Sequence, residues 1–319
     1  MVITERSAQS ICVVAPFYNE ELGVKAFYEA LRMVMHETGL DYRFVFVDDG
    51  SRDNTLALLI ELAEKDHRVG VLALARNFGH QIALSAGLDY ADADLIVMMD
   101  SDLQHPPRTI LDMIAAYRQG ADIVYAVRDN SEQVSLGKRF FSQLFYSLMR
   151  RATQTTVVPN APDFRLMTRD ALYSLRQMRE THRYLRGMVA WIGFQTAQVR
   201  YHQAPRYAGK PSFHWRQSLR MAYHAIFSFS TLPLQLITWT GLLMTVMALV
   251  YLVYILYIYF VERTSLQGWT SLIVVVLMVG GVQLISIGVL AQYIGMIFEQ
   301  VKQRPLYTLR QVYNLERKS

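Results

Sequence analysis

Two long stretches near the C-terminal end of the chain carry no charged residue, and they constrain the fold more than any other feature. They cover residues 232–260 and 269–298. A transmembrane helix needs about 20 consecutive apolar residues, and both stretches exceed that length. Uncharged runs this long are rare in soluble cores, so we predict two transmembrane helices joined by the loop 261–268 rather than a buried helical hairpin.

Charges around these stretches predict how the chain is oriented. Arg216 and Arg220 precede the first stretch and the basic tail 299–319 follows the second, whereas the connecting loop contains only Arg263 as a basic residue. Basic residues favour the cytoplasmic side of a membrane, and residues 1–10 contain no apolar signal sequence. We therefore expect the large N-terminal domain and both termini to be cytoplasmic. The net charge of +5 then favours contact with anionic lipid rather than with nucleic acid.

The first part of the chain alternates short apolar runs with segments of helical spacing. The predicted strands cover residues 11–15, 44–47, 71–74, 95–99 and 123–127. Such an alternation predicts an α/β domain with a Rossmann-like, mostly parallel sheet that is covered by helices on both faces. Ligands of such sheets bind at the carboxyl ends of the strands, and the polar clusters of this chain follow the predicted strands.

Two carboxylates one residue apart follow the fourth predicted strand. Asp100 and Asp102 occupy positions i and i+2, whose side chains point the same way in an extended segment, and Gln104 offers a further oxygen. Oxygen atoms are the ligands that hard divalent cations prefer. The Asp-x-Asp pattern alone fits an ordinary solvated turn as well, so its interpretation depends on the neighbouring motifs.

A second acidic pair, Asp48 and Asp49, follows the second predicted strand and lies at the same predicted edge of the sheet. Taken alone, it fits a turn with a helix cap as well as it fits a binding site. The chain has no phosphate-binding loop of the Gly-x-x-x-x-Gly-Lys-Ser/Thr type and no Gly-x-Gly-x-x-Gly after the first strand, which argues against a nucleotide hydrolase and a dinucleotide-dependent oxidoreductase. A bound diphosphate would therefore need a metal ion, and Asp100 and Asp102 are suited to hold one.

Two segments between the predicted sheet and the apolar stretches predict contact with a membrane surface. Residues 138–151 combine an apolar half of a helical wheel with basic pairs at both ends, which favours an interfacial helix over a core helix. Residues 212–231 lead into the first apolar stretch as an amphipathic juxtamembrane helix. In the second stretch, Gly281, Gly288 and Gly295 recur every seven residues, which predicts close helix packing within the hairpin or in a homo-oligomer.

Five short motifs precede the two apolar stretches. They are Pro-Phe-Tyr-Asn-Glu-Glu at 16–21, Val-Asp-Asp-Gly-Ser at 47–51, Arg-Asn-Phe-Gly at 76–79, Asp-Ser-Asp-Leu-Gln at 100–104 and Asp-Phe-Arg-Leu-Met at 163–167. In this order they resemble the polyprenyl-phosphate glycosyltransferases of glycosyltransferase family 2. The resemblance is strongest to the bacterial bactoprenol glucosyltransferases, which are related to dolichol-phosphate mannose synthase, and it covers nearly the whole chain.

The resemblance implies a fold and an activity. The family has a GT-A fold, so residues 1–211 would form a cytoplasmic GT-A catalytic domain, followed by interfacial helices and the two-helix transmembrane hairpin. The family transfers a sugar from a nucleotide diphosphate sugar to a lipid phosphate with inversion. For this chain the resemblance implies UDP-glucose as donor, undecaprenyl phosphate or another polyprenyl phosphate as acceptor, and Mg²⁺ or Mn²⁺ as cofactor. It also implies a location in the bacterial inner membrane.

The resemblance further implies roles for individual residues. The nucleotide-sugar site would comprise Pro16, Tyr18, Glu20, Val47, Asp49, Asp100 and Arg206. The metal ligands would be Asp100, Asp102 and Gln104. The lipid phosphate would be bound by Arg128, Lys138 and Arg139. The catalytic residues would be Asp102 and Asp163, although Asp163 fits a structural ion pair with Arg165 equally well.

One departure from the family and two alternative functions stay open. Many relatives carry a lysine three residues after Gly209, where this chain has Ser212, and the sequence leaves open whether Lys210 supplies that charge. A processive polysaccharide synthase would carry Gln-x-x-Arg-Trp, but residues 217–221 lack the tryptophan, and two spans are few for a polymer channel. A non-catalytic, membrane-tethered nucleotide-sugar-binding subunit is the alternative from another class, and the intact acidic motif argues against it.

Overall fold

The protein is described by a computed structural model. The residues that it describes are 6–129, 158, 161–181, 183–204, 232–257 and 268–316. Several predicted features lie outside these residues, namely Lys138, Arg139, Arg206 and the helices 138–151 and 212–231. The roles assigned to them therefore stay predictions.

The chain forms two compact units, and the first is built on a mixed sheet. Its described strands are β1 (Ser10–Phe17), β2 (Asp41–Asp48), β3 (Val69–Leu74), β4 (Leu95–Met98), β5 (Ile123–Arg128), β6 (Arg165–Thr168), β7 (Thr196–Tyr201) and β8 (Leu309–Tyr313). Their order across the sheet is β7-β5-β6-β4-β1-β2-β3-β8. Strands β6 and β8 run antiparallel to their neighbours and the other pairs are parallel. The five predicted strands are confirmed, and the sheet is mostly parallel as predicted.

Helices pack against this sheet and bury its central strands. The described helices of the first unit are α1 (Val24–Thr38), α2 (Thr55–Lys65), α3 (His80–Tyr90), α4 (Thr109–Arg118), α5 (Arg169–Gln177) and α6 (Leu185–Trp191). In β1 every residue after Ser10 is buried, as expected of an apolar strand covered on both faces. On one side Phe17, Phe27 and Phe46 make edge-to-face contacts with ring centroids 5.3–6.0 Å apart.

A glycine brings α3 close to the centre of the sheet. A Cβ atom added at Gly87 would lie 2.4 Å from Val14 Cγ1 and 3.0 Å from Val47 Cγ2, closer than side chains tolerate. The absence of a side chain therefore lets α3 pack directly on β1 and β2. This packing fixes the N-terminal end of α3, where His80 and Gln81 begin the helix beside the polar edge of the sheet.

Strand β8 completes one edge of the sheet, where the sequence predicts only a basic tail at 299–319. It pairs antiparallel with β3. Beside it, Tyr307 donates a hydrogen bond from its hydroxyl to Asp89 Oδ2 at 3.0 Å, and Asn314 donates from Nδ2 to the carbonyl of Val69 at 3.0 Å. The first unit therefore contains residues from both sides of the two apolar stretches, within Met1–His214 and Pro305–Ser319.

The second unit, Trp215–Arg304, contains two long apolar helices among its described residues. These are α7 (Leu232–Tyr257) and α8 (Trp269–Val301). Within them, Pro233–Tyr254 and Met278–Val301 are long and apolar enough to cross a membrane. Nothing described lies within 4 Å of a Cβ added at Gly281, Gly288 or Gly295, so helix packing at these glycines stays a prediction.

Candidate active site

The carboxyl ends of β1, β2 and β4 meet at one edge of the sheet and bring the polar motifs together. Ser101, just after β4, donates a hydrogen bond from Oγ to the Pro16 carbonyl of β1 at 2.7 Å. Asn19, just after β1, donates from its backbone N–H to Ser51 Oγ after β2 at 3.0 Å. The motifs that follow separate strands in the sequence are therefore neighbours in the fold.

Four of the residues predicted to bind the nucleotide lie together at the ends of β1 and β2. Pro16 and Val47 are paired across the two strands. Tyr18 follows them and is 43% exposed, so its ring is available to a ligand. Glu20 lies nearby and donates its backbone N–H to Thr55 Oγ1 at 2.9 Å, at the start of α2.

Asp49 joins the end of β2 to the turn before α3. Its carboxylate accepts hydrogen bonds from the backbone N–H groups of Phe78 at 2.7 Å and Gly79 at 3.0 Å. The side chain is buried, and burial raises the pKa of Asp49 although these two N–H groups oppose the shift. Asp49 thus holds the Arg-Asn-Phe-Gly motif against β2 through these hydrogen bonds. A contact with a nucleotide would be additional to that structural role.

Asp100 and Asp102 lie on a tight turn rather than on an extended segment, because β4 ends at Met98. Leu103 has a φ of 59°, a left-handed conformation that is uncommon for a residue with a side chain. This conformation turns the chain back so that the Gln104 backbone N–H donates to Asp102 Oδ1 at 3.1 Å. Strained backbone of this kind is concentrated at functional sites, which supports a ligand-binding role for the turn.

Gln104 connects the acidic turn to the residues after β7. Its backbone carbonyl accepts a hydrogen bond from the Ala204 N–H at 3.2 Å. Its side-chain Oε1 accepts from Gln203 Nε2 at 2.6 Å. To bind a metal ion through its side chain, Gln104 would have to share or exchange the contact with Gln203.

Two histidines that sequence reasoning missed flank Asp100. His80 Nε2 lies 3.2 Å from Asp100 Oδ1 and 3.7 Å from Asp163 Oδ2. Burial would lower the pKa of His80, but the neighbouring carboxylates raise it above its usual value. On the other side, buried His105 accepts the Asp100 backbone N–H at Nδ1 (3.4 Å) and stacks on Phe164. Burial lowers the pKa of His105, so it is a neutral ring that holds the turn in place.

Asp163 is the centre of a charged cluster. Its Oδ1 accepts hydrogen bonds from Arg165 Nη2 at 2.9 Å and Arg186 Nε at 3.2 Å. Its Oδ2 accepts from Gln81 Nε2 at 2.9 Å and Arg186 Nη2 at 3.3 Å. Burial would raise the pKa of Asp163, but Arg186, His80 and Arg165 hold it well below its ordinary value. A carboxylate so occupied is a weak base, which favours the ion-pair interpretation of Asp163 over a proton-accepting one.

Arg128 lies at the end of β5 and contacts the same region indirectly. Its Nε donates to the Tyr201 hydroxyl at 3.3 Å, and the Tyr201 ring lies edge-on to His105 with ring centroids 5.8 Å apart. Arg128 is therefore connected through Tyr201 and His105 to the acidic turn.

The acidic turn can supply part of a metal site. Among the described residues, no three His, Cys, Asp or Glu side chains converge on one point as a closed metal site. Asp100 Oδ1 is buried and makes no hydrogen bond to the described residues, but it lies 3.2 Å from His80 Nε2, so a bound cation would have to share or displace this contact. Two carboxylates and an amide oxygen leave room for further oxygen ligands, as expected of a site shared with phosphate oxygens.

Comparison with known proteins agrees with this architecture. Residues 12–176 match the family described as glycosyl transferase family 2. The chain is 37% identical over 306 residues to the uncharacterized glycosyltransferase YkcC of Bacillus subtilis, covering 96% of this chain and 95% of that protein. It is 35% identical over 302 residues to a prophage bactoprenol glucosyl transferase homolog of Escherichia coli K12, covering 95% and 99% respectively. The chain belongs to glycosyltransferase family 2.

Solved structures give a more distant likeness. The glucosyl-3-phosphoglycerate synthase of Mycobacterium tuberculosis, crystallised with Mn²⁺, UDP and glucosyl-3-phosphoglycerate, superposes with a TM-score of 0.48 at 18% identity. The superposition covers 69% of this chain and 78% of that one. Together with the family match, the mixed sheet confirms the predicted GT-A-like fold.

Proposed function

We propose that this protein is a membrane-bound glycosyltransferase that moves glucose from UDP-glucose to undecaprenyl phosphate with inversion. The main support is the likeness to a protein named as a bactoprenol glucosyl transferase homolog, which extends over 95% of this chain and so includes the two apolar helices. A polyprenyl acceptor is confined to the bilayer, and a family 2 enzyme that uses it needs a membrane attachment. The two apolar helices, which are long and apolar enough to cross a membrane, would supply one.

The acidic turn would hold Mg²⁺ or Mn²⁺ through Asp100, Asp102 and Gln104. When bound, the cation would neutralise the diphosphate that leaves with the nucleotide. The acceptor phosphate is already ionised at neutral pH, so its oxygen can attack the anomeric carbon without a strong general base. Because no strong base is needed, the reaction is compatible with an Asp163 whose two oxygens are both engaged by arginine side chains and an amide.

The remaining assignments divide the binding residues between the two substrates. Pro16, Tyr18, Glu20, Val47 and Asp49 would surround the nucleoside, and Arg206 would contact the donor diphosphate. Arg128, Lys138 and Arg139 would receive the lipid phosphate. Of the three residues assigned to the lipid phosphate, Arg128 is within the described structure. Its connection to the acidic turn through Tyr201 supports a place beside the reacting groups.

The catalytic domain would lie on the cytoplasmic face of a bacterial inner membrane, with both termini on that side. Strand β8 supports this arrangement, because the first unit contains residues both before and after the two apolar helices. A folded domain that includes both flanks requires an even number of crossings between them, and the two candidate spans satisfy this requirement.

The test is a transfer assay with the full-length protein purified in detergent. UDP-glucose, undecaprenyl phosphate and Mg²⁺ or Mn²⁺ should give one lipid-linked monosaccharide. A long polymer would instead identify a processive synthase, and UDP-glucose binding without any product would identify a non-catalytic binding subunit. Parallel reactions with other UDP-sugars and GDP-sugars would show whether glucose is the preferred sugar.

A further inference from the structure

The two arginines that share Asp163 differ in their access to solvent. The Arg165 side chain is fully buried, and its guanidinium lies near the Tyr125 ring, 5.3 Å from its centroid. The Arg186 side chain is 34% exposed, although its Nε and Nη2 both donate to Asp163. One carboxylate neutralises only one guanidinium, so Asp163, Arg165 and Arg186 together carry a net positive charge. Arg186 is the member that can present this charge to a ligand.

This charge lies beside the acidic turn. His80 Nε2 lies within 4 Å of both Asp163 Oδ2 and Asp100 Oδ1 and so connects the cluster to the turn. Burial disfavours the charged form of Arg186, but Asp163 and Asp100 raise the pKa of Arg186 further above its ordinary value. Arg186 is therefore a permanent cation near the turn that carries the proposed metal ligands.

The geometry of Arg186 suits a phosphate group. A guanidinium is planar and presents several N–H donors, which match the oxygens of a phosphate. Asp163 uses two donors of Arg186 through its two oxygens and thereby fixes the plane of the guanidinium, and the described residues leave other N–H groups of Arg186 available. Gln81 supports this arrangement from α3, since its Oε1 accepts the Leu185 backbone N–H at 3.0 Å while its Nε2 bonds Asp163.

The structure assigns Arg186 a substrate-binding role: its guanidinium contacts a phosphate of one of the two substrates, and Asp163 is the positioning residue that holds it. The inference rests on the proposed transferase function and adds a residue that the sequence motifs did not single out. Two sources share the required chemistry, the diphosphate of the nucleotide sugar and the monophosphate of the lipid. The experiment separates them.

The experiment compares Arg186→Gln and Arg186→Lys with the wild-type full-length enzyme. Loss of a charge-assisted hydrogen bond should raise the KM of one substrate roughly 10- to 100-fold in Arg186→Gln, and Arg186→Lys should recover part of the loss. A rise confined to the lipid acceptor identifies the lipid phosphate. A rise for UDP-glucose, together with weaker binding of UDP without acceptor, identifies the donor diphosphate.

Arg179→Gln is the matched control. Arg179 forms another arginine–carboxylate pair, with Nη1 at 2.8 Å from Asp89 Oδ2, outside the cluster around Asp163. This variant should leave both KM values within about twofold of wild type. If Arg186→Gln lowers the thermal midpoint but leaves both KM values unchanged, Arg186 is only a structural tie between α6 and the sheet, and the inference is wrong.

Failure of the proposed function is recognisable separately. If the wild-type protein transfers no sugar to any polyprenyl phosphate, binding of UDP and of a short-chain polyprenyl phosphate can still be measured by isothermal calorimetry. Binding of either ligand that is at least about tenfold weaker in Arg186→Gln would support the phosphate contact. Equal binding of both ligands by wild type and variant would overturn it.

Discussion

Two acidic pairs at the same edge of the sheet have opposite environments. Asp48 and Asp49 are buried and accept hydrogen bonds from backbone N–H groups, which belong to Ser51 for Asp48 and to the turn before α3 for Asp49. The Asp100 carboxylate is flanked by histidine side chains instead, with Oδ1 3.2 Å from His80 Nε2 and Oδ2 3.8 Å from His105 Nε2. Main-chain N–H groups hold the carboxylates of Asp48 and Asp49 in their loops, whereas the partners of the Asp100 carboxylate are side chains. Two similar sequence patterns therefore have different environments in the fold.

The largest effect is expected from Asp102→Ala. Loss of a proposed metal ligand should reduce transfer at least roughly 100-fold and weaken Mn²⁺ binding, measured by electron paramagnetic resonance of the free ion. The thermal midpoint should change little, because Asp102 is half-buried and its described hydrogen bond is to the neighbouring Gln104. Asp92→Ala, at a side chain 81% exposed, is the control and should change neither quantity. Normal Mn²⁺ binding by Asp102→Ala would refute the metal assignment.

Asp163→Asn should have the largest effect on stability. It leaves Arg165 buried without a charged partner, and breaking a buried ion pair in this way costs about 3–5 kcal/mol. The thermal midpoint should fall by roughly 6–20 °C. The double variant Asp163→Asn with Arg165→Met should regain part of the loss, because the unpaired charge is gone. A midpoint within about 2 °C of wild type for Asp163→Asn would show that the cluster is not structurally important.

A smaller effect is expected from pH, because Asp163 and the pair Asp48 and Asp49 should contribute to stability in different pH ranges. The pKa of Asp163 is depressed, so its stabilisation is complete above the unfolded-state value of about 3.9 and is lost as the pH falls through the folded-state pKa. Burial raises the pKa of Asp48 and Asp49, so their contribution is complete below about 3.9 and is lost as the pH rises through the raised pKa.

The measurement is the difference in thermal midpoint between wild type and Asp163→Asn over a pH series. This difference should not shrink between about pH 7 and 5 and should shrink only below about pH 4. A difference that already shrinks near pH 6 would mean that the pKa of Asp163 is raised rather than depressed, and would revive a proton-accepting role for this residue.

Features that depend on a local sequence pattern were predictable from the sequence. Strands β1 to β5 are short apolar runs that end in polar motifs, and the two apolar stretches of the second unit are helical within their described parts. The short edge strand β8 contains Arg310 and Gln311, so it lacks the apolar run that identifies a buried strand. Pairing with β3 identifies it, and that pairing joins segments far apart in the chain.

The sequence by itself determined the family, the α/β character of the first unit, the position of the acidic pair after β4 and the two membrane-length helices. Only the tertiary structure decided which carboxylates are bonded to the main chain and which lie beside histidine side chains. Gln81 and Asp163 are 82 residues apart, and Gln81 and Leu185 are 104 apart, so no local pattern relates them. The packing of α3, α6 and β6 brings them together, because apolar burial fixes the elements and thereby sets the distances between their polar ends.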